Sequence, residues 1–452
     1  MLHSQKGKCR ESMSNDFERK TAKKSKIIDY PKKFESYGGR TRYETYSPDQ
    51  QGFLREIAFK YFLTFQEFRE IVEADRDLTM WGEGGLQTWW NSQTFRFNGA
   101  DRQAKDQFIS RLRQFLDNLR NTQKAYPEEG LPKPSMRESK KIVSEKSDKK
   151  ILGMCPVASE KTVCCNLRTI DAVESCVFGC SYCTIQTFYG DKVVFDEEFG
   201  EKLKAISLEP NRFYHIGTGQ ASDSLAFGNR NGILDDLCHF AESHPDILLE
   251  FKTKSNNIRY FLDHDIPPNC VCSWSLNTET IINNEEHFTA NLNQRLTAAR
   301  DVADKGVKVA FHFHPMVYYQ GWDVDYPDTV SMLLKLFSPE EVLFVSFGTL
   351  TFIKPVIQKI RKLGQFTKIL QMDLVPDPHG KLTYPDDIKV KMFNEILQAI
   401  APWRDKVFMY LCMEKASIWE STFGCVYDTN EKFEQDFGEK TMCKLRFQRV
   451  IA

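Results

Sequence analysis

Between residues 166 and 350 the chain alternates short apolar runs with stretches of helical periodicity. The runs fall at 166–173, 212–217, 247–252, 270–276, 307–316 and 341–350, and the clearest helical stretches at 197–207, 232–243, 292–305 and 330–337. Runs of this length read as strands, and a helix between successive strands demands a parallel crossover. Six such units predict an α/β architecture wound into an open or closed barrel. In barrels of this kind chemistry sits on the loops that follow the C-terminal ends of the strands.

The flanking regions have different textures. Residues 1–46 are polar and basic, with Lys23, Lys24 and Lys26 close together, and are expected to form a disordered tail. A helix start signal at Ser47-Pro48 precedes Phe53, Ile57, Phe59, Phe62, Phe65 and Phe68, so residues 47–126 read as a helical extension. Its Trp81, Trp89 and Trp90 suit core or domain-interface anchors better than a base-stacking platform. Residues 127–150 are Pro- and Lys-rich and read as a linker, 151–365 as the barrel, and 366–452 as a less regular C-terminal segment covering one mouth of it.

Composition narrows the function. A formal net charge of -1 over 452 residues gives no global footprint of a dedicated nucleic-acid binder, so any polyanion contact must be local. No apolar stretch is long enough for a bilayer and the N-terminus lacks a secretory signal's apolar core, which predicts a cytoplasmic protein with no membrane partner. Thirteen cysteines are many for that compartment. Odd in number and clustered, they point to metal or redox chemistry rather than to a disulfide framework.

The first run leads directly into CVFGCSYC, placing Cys176, Cys180 and Cys183 on the first βα loop. Three thiolates at this spacing can hold three irons of a [4Fe-4S] cubane and leave the fourth iron open to a small molecule. A closed zinc site is the competing reading. It needs four ligands, usually as two separated pairs, and no second pair follows in the expected window.

Later strand ends carry further candidates. The second run opens into HIGTGQASDS, where Gly217 and Gly219 offer backbone donors and Ser222 and Asp223 offer hydroxyl and carboxylate. The third ends at Lys252 and Lys254, cations suited to a carboxylate, although a strand-end lysine is also commonly just solvated. Ser275 and Asn277 share one direction by period two, as do His312 and His314. The two histidines suit either metal ligation or hydrogen bonding to a substrate or neighbour.

These residues, together with SWSLNTETIINNEEHFT, LNQRLTAARDVADKG and FHFHPMVYYQGWDVDY, resemble the spore photoproduct lyase family of the radical S-adenosylmethionine superfamily over about residues 165–365. The resemblance implies a partial (β/α)6 TIM-like barrel with an N-terminal helical extension and a C-terminal α+β segment. It also implies a [4Fe-4S] cluster on Cys176, Cys180 and Cys183, S-adenosyl-L-methionine as cofactor, and a 5'-deoxyadenosyl radical that removes hydrogen from a thymine-derived lesion in DNA, a lyase reaction of DNA repair. Tyr182, Ser222, Asp223, Lys254 and Ser275 match cofactor-contacting positions, and His314 falls where the family has a small residue contributing a carbonyl. Gln220 stands where the lyases carry a hydrogen-donating cysteine, and Thr184 where they carry a tyrosine of the same relay. HGKLTYPDD replaces their basic, aromatic DNA-contacting segment. The chain therefore resembles a divergent branch with an altered reaction or substrate.

These residues allow three readings. The first is hydrogen abstraction on a DNA, RNA or nucleotide substrate, with flavodoxin or ferredoxin as electron donor. The second is radical modification of a protein or peptide, and the third a non-catalytic nucleic-acid-binding protein that keeps the cluster. Cys155, Cys164 and Cys165, ahead of the first run, suit either an auxiliary cluster or small buried apolar residues. Cys270 and Cys272 should face away from the barrel interior, and Cys412 reads as core.

Overall fold

The computed structural model describes residues 29–93, 100–134, 140–155 and 161–451. It divides into two compact units, Met1–Asp75 with Gln93–Ser110, and Arg76–Ser92 with Arg111–Ala452. Lys23, Lys24 and Lys26 lie outside the described residues.

In the first unit Ser47 caps the helix Pro48–Tyr61 through a capping box with Gln50, as the start signal predicts. Of residues 1–46, expected as a disordered tail, the part from Tyr30 is folded, since Tyr30–Glu35 is helical and two short 3-10 turns follow it, while residues 1–28 lie outside the described residues. Aromatic spacing supplies the reason. Phe34 packs edge-on against Phe59 and Phe68, with ring centroids 5.2 and 4.9 Å away, and the Tyr30 hydroxyl donates to the Leu63 carbonyl at 2.9 Å. Lys and Arg between these rings hide the pattern in a simple charge count.

The second unit is built on one eight-stranded sheet. Its strands are β1 (Leu152–Met154), β2 (Arg168–Ile170), β3 (Tyr214–Thr218), β4 (Ile247–Thr253), β5 (Cys270–Ser275), β6 (Lys308–Met316), β7 (Val342–Thr349) and β8 (Phe408–Leu411). They lie side by side in chain order, and β2 to β8 are all parallel while β1 pairs antiparallel with β2. Helices such as Ile233–Ser243, Leu292–Asp304 and Trp322–Leu336 form the crossovers. All of β3 and β7 is buried, which is why these strands read as nearly continuous apolar runs rather than alternating ones. The sheet curls as the half-barrel the alternation implies, and β2 to β7 coincide with the six predicted runs.

Two boundaries differ from expectation. The segment after 365 adds β8 to the sheet, parallel to β7, instead of only covering a mouth. Behind it the helix Asn430–Ile451 sets Phe437 among the rings of His215, Phe344, Phe408 and Tyr410, at 4.8 to 5.8 Å. The supposed linker contains a strand, Lys141–Glu145, paired in parallel with Lys192–Asp196. A four-residue strand and a Lys-flanked Ile142-Val143 pair are too short for periodicity to register. Trp81 and Trp89 are buried, as anchors should be.

The sheet's outer strands, β1 with β2 on one side and β8 on the other, are tied across the gap. Val163 donates to the Glu414 carbonyl at 2.9 Å, and Asn430 accepts from the Cys164 amide at 2.9 Å.

Candidate functional site

The first βα loop is held in place by its backbone. Ser175 takes a left-handed φ of 74°, and its carbonyl accepts from the Ser222 hydroxyl at 2.7 Å. Gly179-Cys180 then pairs antiparallel with Glu286-His287. A Cβ on Gly179 would lie 3.2 Å from the His287 side chain and 3.3 Å from the Phe288 ring, so any larger residue there would press on both by a few tenths of an ångström. Cys176 and Cys180 are buried and Cys183 partly so, and the Phe178 amide donates to the Cys176 sulfur at 3.4 Å. Burial pushes the Cys176 thiol up to about 12 and raises the Cys180 thiol as well, so metal loading must displace their protons.

A buried ionic group stands against the loop. Glu286 accepts from Arg295 at 2.5 Å and from the Tyr182 hydroxyl, and Arg295 also donates to the Ser275 carbonyl at 2.8 Å. Lys254 lies over the Tyr182 ring, 5.8 Å from its centroid. Burial alone would lower the Lys254 pKa, but Glu286 and the Cys180 sulfur raise it overall. Burial likewise works against the Glu286 charge, and Arg295 and Lys254 overcome it. Two cations facing one carboxylate leave a surplus positive charge that suits thiolate ligands.

Asp223 is committed to fastening strand ends. Its carboxylate accepts from the amides of Leu225, Ala226 and Lys254 and from the Thr253 hydroxyl, at 2.7 to 3.0 Å. Gly219, at φ 74°, makes the turn before it, where a Cβ would lie 2.7 Å from the Ser224 amide nitrogen.

Below these groups a buried polar chain crosses the barrel. His215 Nε2 is 2.8 Å from one Glu250 oxygen and His312 Nε2 2.5 Å from the other. His312 Nδ1 is 2.5 Å from Ser346 Oγ, which is 3.1 Å from His314 Nε2. Burial would raise the Glu250 pKa, but Lys252 and His312 hold it well below the carboxylate range, while burial keeps His215, His312 and His314 neutral. Those charge states set the hydrogens: both Nε2–H groups donate to Glu250, Ser346 donates to His312, and His314 donates to Ser346.

Most of the sequence candidates line one cavity of about 330 Å³: Cys176, Cys180 and Cys183, Tyr182, Gly219, Gln220, Ser222, Asp223, Lys252, Lys254, Ser275 and His314, whereas Gly217 and Asn277 do not, Asn277 being bonded to Glu286, the Pro315 carbonyl and Tyr326. Thr184 and His312 join them. Glu250, Glu286 and Arg295 were not singled out from sequence, since charged residues at strand centres and helix turns read as solvated. The signal for Glu286 was its place in the EEHFT stretch. Among the described residues no group of three or more His, Cys, Asp or Glu stands in metal-holding geometry, the loop thiols included. The fit of the loop to a cluster rests on its donor set, the Phe178 amide and the cations beside it.

The spore photoproduct lyase family profile matches residues 166–374. Spore photoproduct lyase of a Geobacillus species is 25% identical over 208 residues, covering 44% of this chain and 61% of its own length. The Bacillus subtilis lyase is 27% identical over 164 residues, covering 35% and 48%. The chain thus spans about three fifths of the first of these relatives and about half of the second. A double mutant of spore photoproduct lyase with bound AdoMet and dinucleoside spore photoproduct superposes with a TM-score of 0.53 at 20% identity, covering 62% of this chain and 86% of that one. At that identity the superposition speaks for the fold. With the cysteine loop at the end of the first barrel strand, these likenesses make residues 166–374 similar in sequence to spore photoproduct lyase and the barrel similar to it in fold.

Proposed function

We propose that the chain is a radical S-adenosylmethionine enzyme acting on a nucleic-acid or nucleotide substrate. The observation that carries this reading is the convergence of the three loop thiols, the Lys254 ammonium and the strand-end residues Ser222, Ser275 and His314 on a single cavity. Cys176, Cys180 and Cys183 would hold a [4Fe-4S] cluster, and the cofactor's carboxylate suits Lys254. When bound, cluster and cofactor supply a 5'-deoxyadenosyl radical for hydrogen abstraction.

The chain's own residues shape the cavity around that chemistry. Tyr182, fixed by Glu286, and Lys254 wall the loop side. Gln220 lines the same cavity, and its carboxamide has no weak X–H bond to give up as a thiol does. A complete spore-photoproduct repair cycle is therefore not expected. A protein with dinucleoside spore photoproduct bound shares this fold, which favours a nucleobase-sized substrate. The electron donor is proposed to be a flavodoxin or ferredoxin. Among the described residues no helix is long and apolar enough to cross a membrane.

The test is incubation of the reconstituted protein with a spore-photoproduct dinucleotide, cofactor and reductant. Deoxyadenosine release with little or no thymine recovery is expected. Clean conversion to two thymines would overturn the altered-outcome reading.

A further inference from the structure

Seven of the thirteen cysteines line this cavity, and only three belong to the loop already described. The other four are Cys155, Cys164, Cys165 and Cys412. They come from three separate segments, and the closure of the sheet is what brings them together. Cys155 follows β1 and donates its amide to the Leu167 carbonyl at 2.9 Å. Cys164 and Cys165 follow Val163, which pairs with Glu414, and Cys412 directly follows β8 with its amide on the Phe347 carbonyl at 2.8 Å. Cys164, Cys412 and Cys155 all act electrostatically on the Cys165 thiol, which places the four near one another, although like the loop thiols they do not stand in metal-holding geometry.

A cysteine kept only for packing looks different in this protein. Cys238 and Cys270 bond each other between the helix Ile233–Ser243 and β5, and neither they nor Cys272 touch the cavity. The four cavity thiols instead share their wall with the partly buried Lys252 ammonium, itself 3.5 Å from Glu250. Burial raises the Cys412 thiol and Lys252 offsets this only in part, and the Cys165 thiol is raised as well, so a metal must displace their protons; four thiolates then make a donor set for iron–sulfur or zinc.

We propose that Cys155, Cys164, Cys165 and Cys412 form a second thiolate site that takes a thiophilic metal centre in the same cavity as the loop. Binding of zinc, or of a preassembled iron–sulfur cluster, exchanges thiol protons for the metal, each bound thiolate releasing its proton to solvent, with no redox step. The site closes the seam between β8 and the β1–β2 side, and it places a second centre beside the proposed cofactor pocket.

The test uses full-length protein reconstituted anaerobically with iron and sulfide, or loaded with zinc alone, followed by metal and acid-labile sulfide counts per chain. The variant Cys176→Ala/Cys180→Ala/Cys183→Ala isolates the second site from the proposed function, so the two readings fail separately. It should keep one centre per chain, either iron with sulfide or a single zinc. Adding Cys155→Ser, Cys164→Ser, Cys165→Ser and Cys412→Ser should remove it. Should the combined variant not fold, wild type against the single Cys412→Ser variant serves, with metal beyond one loop cluster expected in wild type and reduced in the variant. A folded loop variant that holds neither iron nor zinc, or a wild type that never exceeds one cluster, overturns the proposal.

Discussion

At the residue scale, Glu250 carries the largest risk and the clearest prediction. It is fully buried between His215 and His312, with Lys252 at 3.5 Å. Glu250→Ala would leave two buried imidazole donors without an acceptor and the partly buried Lys252 ammonium without its carboxylate, a loss of about 3 kcal/mol by analogy with broken buried pairs. Chemical denaturation should show a lower midpoint, and Glu250→Gln should recover part of it by keeping an acceptor oxygen. The same network sets a pH dependence. His215, His312 and His314 are held below the usual imidazole range by burial, so the native state refuses protons that the unfolded chain accepts below about pH 6.5. Stability should therefore fall as pH drops through about 6.5, and the depressed Glu250 adds its own loss only at more acid pH, through its folded value. Melting temperatures that are flat between about pH 8 and 5.5 would contradict this. The side chains that line the cavity were legible in sequence because strand-end positions and period-two alternation locate them. The groups behind them were not: a carboxylate at the centre of ILLEFKT or an arginine inside LNQRLTAAR is buried only because a distant element supplies its partner.

At the element scale, the cysteine loop depends on its two-residue pairing with Glu286-His287. Gly179→Ala would push a Cβ against the His287 side chain and the Phe288 ring. The expected cost is about 1–3 kcal/mol, with a lower iron content after reconstitution. Unchanged iron loading would show that the pairing does not position the loop. Six of the eight sheet strands were readable because two-sided burial makes long apolar runs. β1 and β8 have three and four residues, and the strand Lys141–Glu145 sits in a lysine-rich stretch, so their pairing depends on the sheet they join. The C-terminal helix is a second element that sequence alone under-rates. Phe437 is fully buried among the rings of β3, β7 and β8, and Phe437→Ala should cost about 3–5 kcal/mol. A denaturation midpoint equal to wild type would mean that the helix does not brace the barrel.

At the scale of the whole molecule, the near-neutral balance of 61 Lys and Arg against 62 Asp and Glu makes any phosphate contact a local matter. Affinity for single-stranded or distorted DNA or RNA should exceed that for intact duplex, because a base must leave the stack to reach a cavity at the strand ends. On duplex, each phosphate neutralised should add about -0.9 to the slope of log affinity against log salt. Fluorescence anisotropy over a salt series reads both, and absence of binding to every nucleic acid at low salt would favour a peptide substrate. The central claim is that the barrel holds a cluster on Cys176, Cys180 and Cys183 and uses it to cleave S-adenosylmethionine. Its most direct measurement is 5'-deoxyadenosine formation by anaerobically reconstituted protein under reductant. Wild type should form it and the Cys176→Ala/Cys180→Ala/Cys183→Ala variant should not, whereas a wild type fully loaded with iron that forms none, or a variant that forms as much, would contradict the account.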